Sequence, residues 1–445
     1  MGSSATNSNQ SQPVIVVVGG GAGGLELVTR LGDKLARHKR ARVILIDQSP
    51  IHIWKPHLHE VAAGSLDIGL HRLEYAAQAM WHHFEFQLGR FIGLDRADQT
   101  LTVAAMPDMD GQPMLPRRTI RYDFLVIAVG STINTFGIAG ALEHAIALDS
   151  PNEAERFRQK LVAACLRANA RAEQGQAARV SIAIIGAGAT GVELSAELRN
   201  AAQVLFAYGI HGLDPRRDIR ITLVEGADRI LPGLSERISR SVTRLIEKLD
   251  IDIMTGERVT NVSAGGIDTA SGKHVPADLV VWAAGIKAPD LLKNLDGLES
   301  NRINQLVVTD HLQTTLDSRI YALGDCAQCA WGTKNTSVPP RAQAAHQQAS
   351  YLFRILRDRL HGRESRPFRY RDFGSLVSIG TEQAVGSLMG GLIGGSMFIE
   401  GLIARLMYRS LYQMHMLALH GWIKTALDAL SHSLRRATEP QVKLH

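Results

Sequence analysis

The chain has 445 residues, 45% of them hydrophobic and 21% charged, an ordinary globular balance with room for two or three domains. A formal net charge of +6 favours anionic partners without choosing among nucleic acid, phosphorylated cofactors and anionic membranes. Three cysteines, Cys165, Cys326 and Cys329, are too few for a disulfide scaffold or a four-thiolate iron–sulfur cluster.

Residues 1–12 are small and polar, with neither the basic start nor the apolar stretch of a secretory signal, and are expected to form a disordered tail. Val14 to Val18 then reads as a buried parallel strand that runs into Gly19, Gly21 and Gly24 in GxGxxG spacing. A helix is expected over 25–37 and a second strand from Arg42 to Ile46, ending at Asp47, the acid expected about 20 residues beyond the glycines. Asp123 to Val129 is a further strand, and it closes on Gly130.

The same order of punctuation then returns. Val180 to Ile185 runs into Gly186, Gly188 and Gly191, a helix follows to about Tyr208, and the strand Ile219 to Val224 closes on Glu225. Asp278 to Ala284 repeats the last strand and ends at Gly285, whereas Ile320 to Cys329, with its Gly324-Asp325 pair, lies outside both repeats. The simplest architecture is α/β, with two Rossmann-like dinucleotide-binding domains, the second inserted into the first. The first is expected over 13–145 and 312–375, the second over 146–311, and a separate C-terminal region over 376–445.

In such a loop the first glycine permits the turn, the second lets a pyrophosphate approach the backbone, and the third lets helix and strand pack closely. The helix N-terminus offers free amides to the anion, and the acid accepts from a ribose. Two cradles imply two dinucleotides, and a dehydrogenase using NAD alone needs only one. The other is expected to be FAD, assigned to the first domain because Gly324-Asp325 returns to it and Asp325 can accept from a ribityl chain; on its own, that pair reads more readily as a capped turn. Glu225 would repel a 2′-phosphate and so points to NADH, although Arg229 lies close by. The Cys326/Cys329 CxxC is expected to be structural, and no metal site is expected.

His52-Ile53-Trp54-Lys55-Pro56, Leu58-His59-Glu60 and Pro339 to Gln347, taken with the two glycine loops, carry a resemblance to the bacterial type II NADH:quinone dehydrogenases. The resemblance implies an oxidoreductase at a membrane surface that passes hydride from NADH to FAD and two electrons to a quinone, ubiquinone or menaquinone, without ion pumping. Ala342-Gln343-Ala344-Ala345-His346-Gln347 looks like the family's AQxxxQ motif, which implies that Gln343 and Gln347 lie at the quinone site and Ala344 at the flavin. Lys55 is implied to touch the cofactor, and Glu193 to lie near the nicotinamide and quinone pockets. Without the resemblance, the two glutamines read as ordinary helix surface and Glu193 as an acid favoured by a helix N-terminus.

From Leu402 apolar residues recur at helical spacing through Leu406, Leu411, Met414, Leu417, Ile423, Leu427 and Leu430. Arg405, Arg409, Lys424, Arg435 and Arg436 accompany them against Asp428, with Tyr412 and Trp422 as interfacial aromatics. The pattern suits an amphipathic helical membrane-anchoring region; it also suits a core helix or a homodimer helix. The resemblance favours peripheral attachment to the inner face of the cell inner membrane, on the cytoplasmic side. No nucleic acid is expected, and no segment has the roughly 20 uninterrupted apolar residues of a spanning helix. The alternatives are a soluble NADH:acceptor reductase and a redox-sensing flavoprotein acting through a partner interface. A sensor should turn over NADH poorly.

Overall fold

The computed structural model of the chain describes residues 12–108, 110–207, 212–332, 336–379, 383–390 and 395–435. The expected tail falls almost wholly outside them. In chain order come β1 (Val14–Val18), α1 (Ala22–Leu31), β2 (Arg42–Asp47), α2 (Leu58–Ala63), β3 (Glu85–Leu88) and β4 (Phe124–Ile127). Next are β5 (Ala145–Ala147), α3 (Pro151–Glu173), β6 (Val180–Ile185), α4 (Ala189–Ala207), β7 (Ile219–Val224), β8 (Ile251–Met254) and β9 (Leu279–Trp282). The remainder used below are β10 (Leu306–Val308), β11 (Gln313–Thr314), β12 (Asp317–Ala322), β13 (Ala327–Cys329), α5 (Ala342–Arg359), β14 (Gly374–Ile379), β15 (Gln383–Gly390), β16 (Gly395–Glu400) and α6 (Leu402–Arg435).

The chain divides into two compact units, the first comprising Met1–His52, Leu73–Ser131 and Lys287–Tyr370, the second Ile53–Arg72, Thr132–Ile286 and Arg371–His445. The first unit holds a sheet in the order β13-β10-β11-β12-β4-β1-β2-β3. Within it, β3, β2, β1, β4 and β12 are parallel, in register at Ile46↔Gln87, Val18↔Ile46, Val18↔Ile127 and Ile127↔Ala322. That is the order 3-2-1-4-5 of a doubly wound sheet, which reverses direction between β1 and β4. Ile15, Val16 and Val17 are fully buried, which explains why β1 is a continuous apolar run and does not alternate.

The second unit repeats the pattern, with a parallel sheet in the order β5-β9-β6-β7-β8 that reverses between β6 and β9. Three corrections to the boundaries follow. The first unit resumes at Lys287, well before 312, because β10 pairs with β11 and β13 inside the first sheet. Residues 53–72 belong to the second unit, because Leu58, Val61, Ala62 and Ala63 are buried in one cluster with Phe157, Leu161, Val192 and Leu194. The C-terminal region is not separate from the second unit. β14, β15 and β16 form an antiparallel sheet, in register at Val377↔Val385 and Ser387↔Phe398, and it buries Val377, Ile379 and Val385 in the same cluster. The glycine-rich stretch from Ala384 to Ile399 is thus mostly strand.

α6 breaks at Gly421, whose φ of 73° and ψ of 174° are not helical. Before the break Ala404, His415, Met416 and Leu419 are buried; after it Trp422, Ile423, Leu427 and Leu430 are all more than half exposed. Among the described residues no helix is long and apolar enough to cross a membrane.

Candidate functional site

Each unit carries a glycine loop where its sheet reverses, the place at which open α/β sheets bind ligands. The two loops match closely. Gly19 has φ of 99° and Gly186 φ of 100°, values that a side chain disfavours. A Cβ on Gly24 would lie 1.9 Å from the Gly19 carbonyl oxygen, and one on Gly191 2.0 Å from that of Gly186, so only glycine lets α1 and α4 start so close to their strands. A Cβ on Gly21 or Gly188 would meet nothing within 4 Å. Open space therefore lies over the middle glycine of each loop, with crowding under the outer two. This is the shape a pyrophosphate needs.

The helix starts also suit an anion. α1 begins at Gly21 with no side chain capping its amides, and neither α1 nor α4 has an acid in its first turn. By contrast, α3 is closed by Ser150, whose hydroxyl accepts from the Glu153 amide.

Asp47 and Glu225 sit at the ends of β2 and β7 as expected, and each has a second task that spacing did not reveal. The Gly20 amide donates to Asp47 at 2.6 Å and the Ala187 amide to Glu225 at 2.8 Å, so each acid ties down the loop residue after the first glycine. Ser49 and Ala227 amides donate to the other oxygens at 2.8 and 2.9 Å. A carboxylate has lone pairs beyond these and can still accept from a ribose. Arg229 donates to the carbonyls of Pro232 at 2.9 Å and Leu234 at 3.0 Å. Its guanidinium closes its own turn, which removes the argument for a 2′-phosphate.

In the first unit the ends of β1, β4 and β12 bring Gly130 and Ser131 to Gly324 and Asp325. Ser131 donates to Asp325 Oδ2 at 2.8 Å, and Gln305 donates to the Asp325 carbonyl at 2.8 Å. Gln348, buried on α5, accepts from the Gly324 amide at 2.7 Å; the motif pattern singled out Gln343 and Gln347 and passed over this anchor. Ala344 is buried, whereas Gln343 and Gln347 are half-buried on α5. Glu26 of α1, fully buried, pairs with His346 and Arg30 and accepts from Ser350, which fixes α5 against the helix that starts at the first loop.

His52, also in the first unit, bonds through Nδ1 to the Gly20 carbonyl at 2.9 Å, and Tyr75 donates to the same oxygen at 2.7 Å. A carbonyl only accepts, so Nδ1 carries the proton, and burial pushes the His52 pKa down to about 4. In the second unit Lys55 pairs with Asp149 at 3.2 Å and is more than half exposed. Trp54 stacks on His415 of α6 with ring centroids 4.4 Å apart, which anchors the first arm of that helix.

Glu193 is buried on α4, accepts from the Ser378 amide at 3.1 Å and faces His59 at 3.7 Å. Glu197, one turn on, was missed because it reads as a plain helix residue. It is buried, and burial followed by the Glu60 carboxylate pushes its pKa up to about 7. Gly285 ends β9 with φ of 65°, as Gly130 ends β4 with φ of 70°. The CxxC thiols are free and buried; Cys326 is pushed up to about 12 and Cys329 to about 11, so neither is a thiolate at neutral pH. No group of metal ligands occurs among the described residues.

Comparison with known proteins agrees with this geometry. Residues 13–349 match the model of the pyridine nucleotide-disulphide oxidoreductases. The chain is 41% identical to the type II NADH:quinone oxidoreductase of Haemophilus influenzae over 97% of its own length and 99% of the relative's. It is 25% identical to the Staphylococcus aureus protein of the same name, over 87% and 92% of the two chains. Among solved structures, the NDH2 of Plasmodium falciparum in complex with NADH superposes with a TM-score of 0.79 at 19% identity, covering 97% of this chain and all of that one. The sulfide:quinone oxidoreductase of Aquifex aeolicus has a TM-score of 0.71 at 18% identity and so shares the fold. With two glycine loops of matching shape and a relative alike over nearly its whole length, the chain belongs to the type II NADH:quinone oxidoreductases, FAD- and NADH-binding enzymes within the pyridine nucleotide-disulphide oxidoreductase family.

Proposed function

We propose that the cradle of Gly19, Gly21 and Gly24 holds FAD, that of Gly186, Gly188 and Gly191 holds NADH, and that the enzyme works against a lipid surface from which it draws its quinone. FAD, when bound, accepts hydride from NADH and passes two electrons to a quinone. The protein binds, orients and supplies protons. Asp47 and Asp325 bind the ribose and ribityl hydroxyls of FAD, with Gly130, Gly324 and Ala344 allowing close backbone approach. Lys55 is a further cofactor-binding residue. Glu225 binds the ribose of NADH, and Gly285 leaves room beside it. Gln343 and Gln347 share one face of α5 and offer amide donors to a quinone carbonyl. Glu193 supplies a proton to the reduced quinone.

The exposed arm of α6 is the attachment surface. Trp422, Ile423, Leu427 and Leu430 stand out to solvent beside Lys424, the composition of an interfacial helix. The cytoplasmic face of the cell membrane is the side where NADH is available, and a homodimer is compatible with the same arm. The observation that carries the assignment is the pair of matched cradles, open over Gly21 and Gly188 and crowded elsewhere. The test is an absorbance spectrum of the purified protein before NADH, after NADH, and after a short-chain quinone. The reading requires a yellow protein that bleaches and then recovers; bleaching without recovery removes quinone as the acceptor.

A further inference from the structure

Two buried groups of the second unit have no task in this reading, and they stand beside one that has. His59, on α2, has 3% of its side chain exposed. Its Nδ1 lies 3.7 Å from Glu193 Oε2 and its Nε2 3.9 Å from Glu60 Oε1, and the ring also bonds to the Pro56 carbonyl. Side-chain exposure is 9% for Glu193 and 25% for Glu60, so the imidazole stands between a buried carboxyl and one that reaches solvent. Glu197 shares a face of α4 with Glu193, one turn on, and Ser65, just past α2, donates to its Oε2 at 3.3 Å.

Among the described residues, the surrounding elements bring these charged and titratable groups, with Asp67 beyond α2 acting on Glu155. α2 and the residues before it bring His57 and Glu60, and α4 brings Glu193 and Glu197. α3, packed on α2, contributes Glu155 and Arg158, which pair with each other at 2.5 Å, and β14 contributes the Ser378 amide. Burial, with His57 beside it, holds His59 at about 3, so the ring is neutral and carries one N–H and one bare lone pair. Glu197, pushed up to about 7, gains and loses a proton near neutral pH.

We propose that Glu60, His59 and Glu197 form a relay that reloads Glu193 with a proton from solvent during quinone reduction. The inference rests on the reading of Glu193 as a proton donor. A quinone becomes a quinol by taking two electrons and two protons; the hydride of NADH carries both electrons and one of the protons, and the other must come from the protein. One proton leaves Glu193, whose O–H bond breaks as the quinol O–H bond forms. The carboxylate left behind takes the Nδ1 proton of His59 as Nε2 takes one from Glu60, and rotation of the ring returns the N–H to the Glu193 side before the next turnover. Glu60 is recharged from solvent or from Glu197, which holds a proton in reserve. The separations of 3.7 and 3.9 Å are longer than a direct hydrogen bond, so each transfer follows a shift of about 1 Å or passes through one water.

The test compares FAD-loaded wild type with E193Q, H59Q and E197Q by stopped flow, following flavin bleaching by NADH and flavin recovery with a short-chain ubiquinone analogue. Bleaching should stay near the wild-type rate in all three. Recovery should slow about 10²-fold in E193Q and H59Q, the usual size of a lost proton-transfer group. Wild-type recovery should fall as pH rises through about 7, and E197Q should lack that inflection. Infrared difference spectra should show a protonated carboxyl band that titrates over the same range and is missing in E197Q. A purely structural role would depress both half-reactions and the melting temperature together, which overturns the relay. If E193Q alone is slow, the relay is wrong and the donor stands; if E193Q recovers like wild type, the donor reading itself fails. Should H59Q lose its flavin, the pH profile of E197Q decides.

Discussion

At the scale of single residues, the three glycines of a cradle are not equivalent, and substitution separates them. Gly188→Val puts a side chain into open space at a position without positive φ, so the fold should tolerate it while NADH is excluded. The expected result is an unchanged melting temperature and a KM for NADH at least about tenfold higher, equivalent to roughly 1.4 kcal/mol of lost binding. Gly191→Val instead drives atoms against the Gly186 carbonyl, 2.0 Å from where its Cβ would lie. Overpacking of that kind costs typically about 1–3 kcal/mol, and a thermal melt should show it whether or not NADH is present. Gly21→Val, the counterpart of the first in the other unit, should yield a folded protein that purifies without yellow colour. Equal loss of stability at Gly188 and Gly191 would contradict the division of labour.

At the scale of elements, α6 is two arms with different tasks. The arm before Gly421 is tied to the second unit by Ala404, His415, Met416 and Leu419, and the arm after it presents Leu427 and Leu430 to solvent. Replacing both leucines by glutamate removes apolar area worth roughly 1.5–3 kcal/mol per fully buried side chain and adds charge that an anionic bilayer repels. The variant should no longer sediment with anionic vesicles, yet should reduce a short-chain quinone at the wild-type rate. Retained sedimentation would place attachment elsewhere. The helical stripe was legible in the sequence because its spacing is local; the break was not, since a glycine inside a helical pattern does not by itself announce a change of direction. The cradles were legible for a related reason, in that their glycines and acids follow one another at fixed intervals. What escaped notice depends on contacts between segments distant in sequence. Residues 53–72 join the second unit through α2 packing on α3 and α4, β14 to β16 pair with one another in a sheet that alternation of residues does not announce, and Glu197 becomes unusual only when Glu60 and Ser65 arrive beside it.

At the scale of the whole molecule, each unit buries a neutral histidine, and the second unit also buries a carboxyl that prefers to be protonated; their effects on stability oppose each other. His52 and His59 have folded pKa values of about 4 and about 3, below the ordinary 6.5. The unfolded chain therefore binds two protons that the folded chain refuses, and the stability present above pH 6.5 is lost as pH falls toward 4. Glu197, raised from 4.5 to about 7, acts in the other direction: the folded chain holds a proton that the unfolded chain releases, so its contribution is full below 4.5 and disappears as pH rises through 7. Between about pH 6.5 and 4.5 the three nearly reduce to one extra proton bound on unfolding, a slope of roughly 1.4 kcal/mol per pH unit. Other titrating groups add to the wild-type slope and to that of E197Q alike, so the difference between the two isolates Glu197. Without the carboxyl, stability should fall more steeply with acid, by about 1.4 kcal/mol per pH unit over that window, seen as a larger drop in melting temperature between pH 6.5 and 5. Parallel curves for the two proteins would mean that Glu197 is already ionised in the folded state, and the proton reserve assigned to it would be lost with that result.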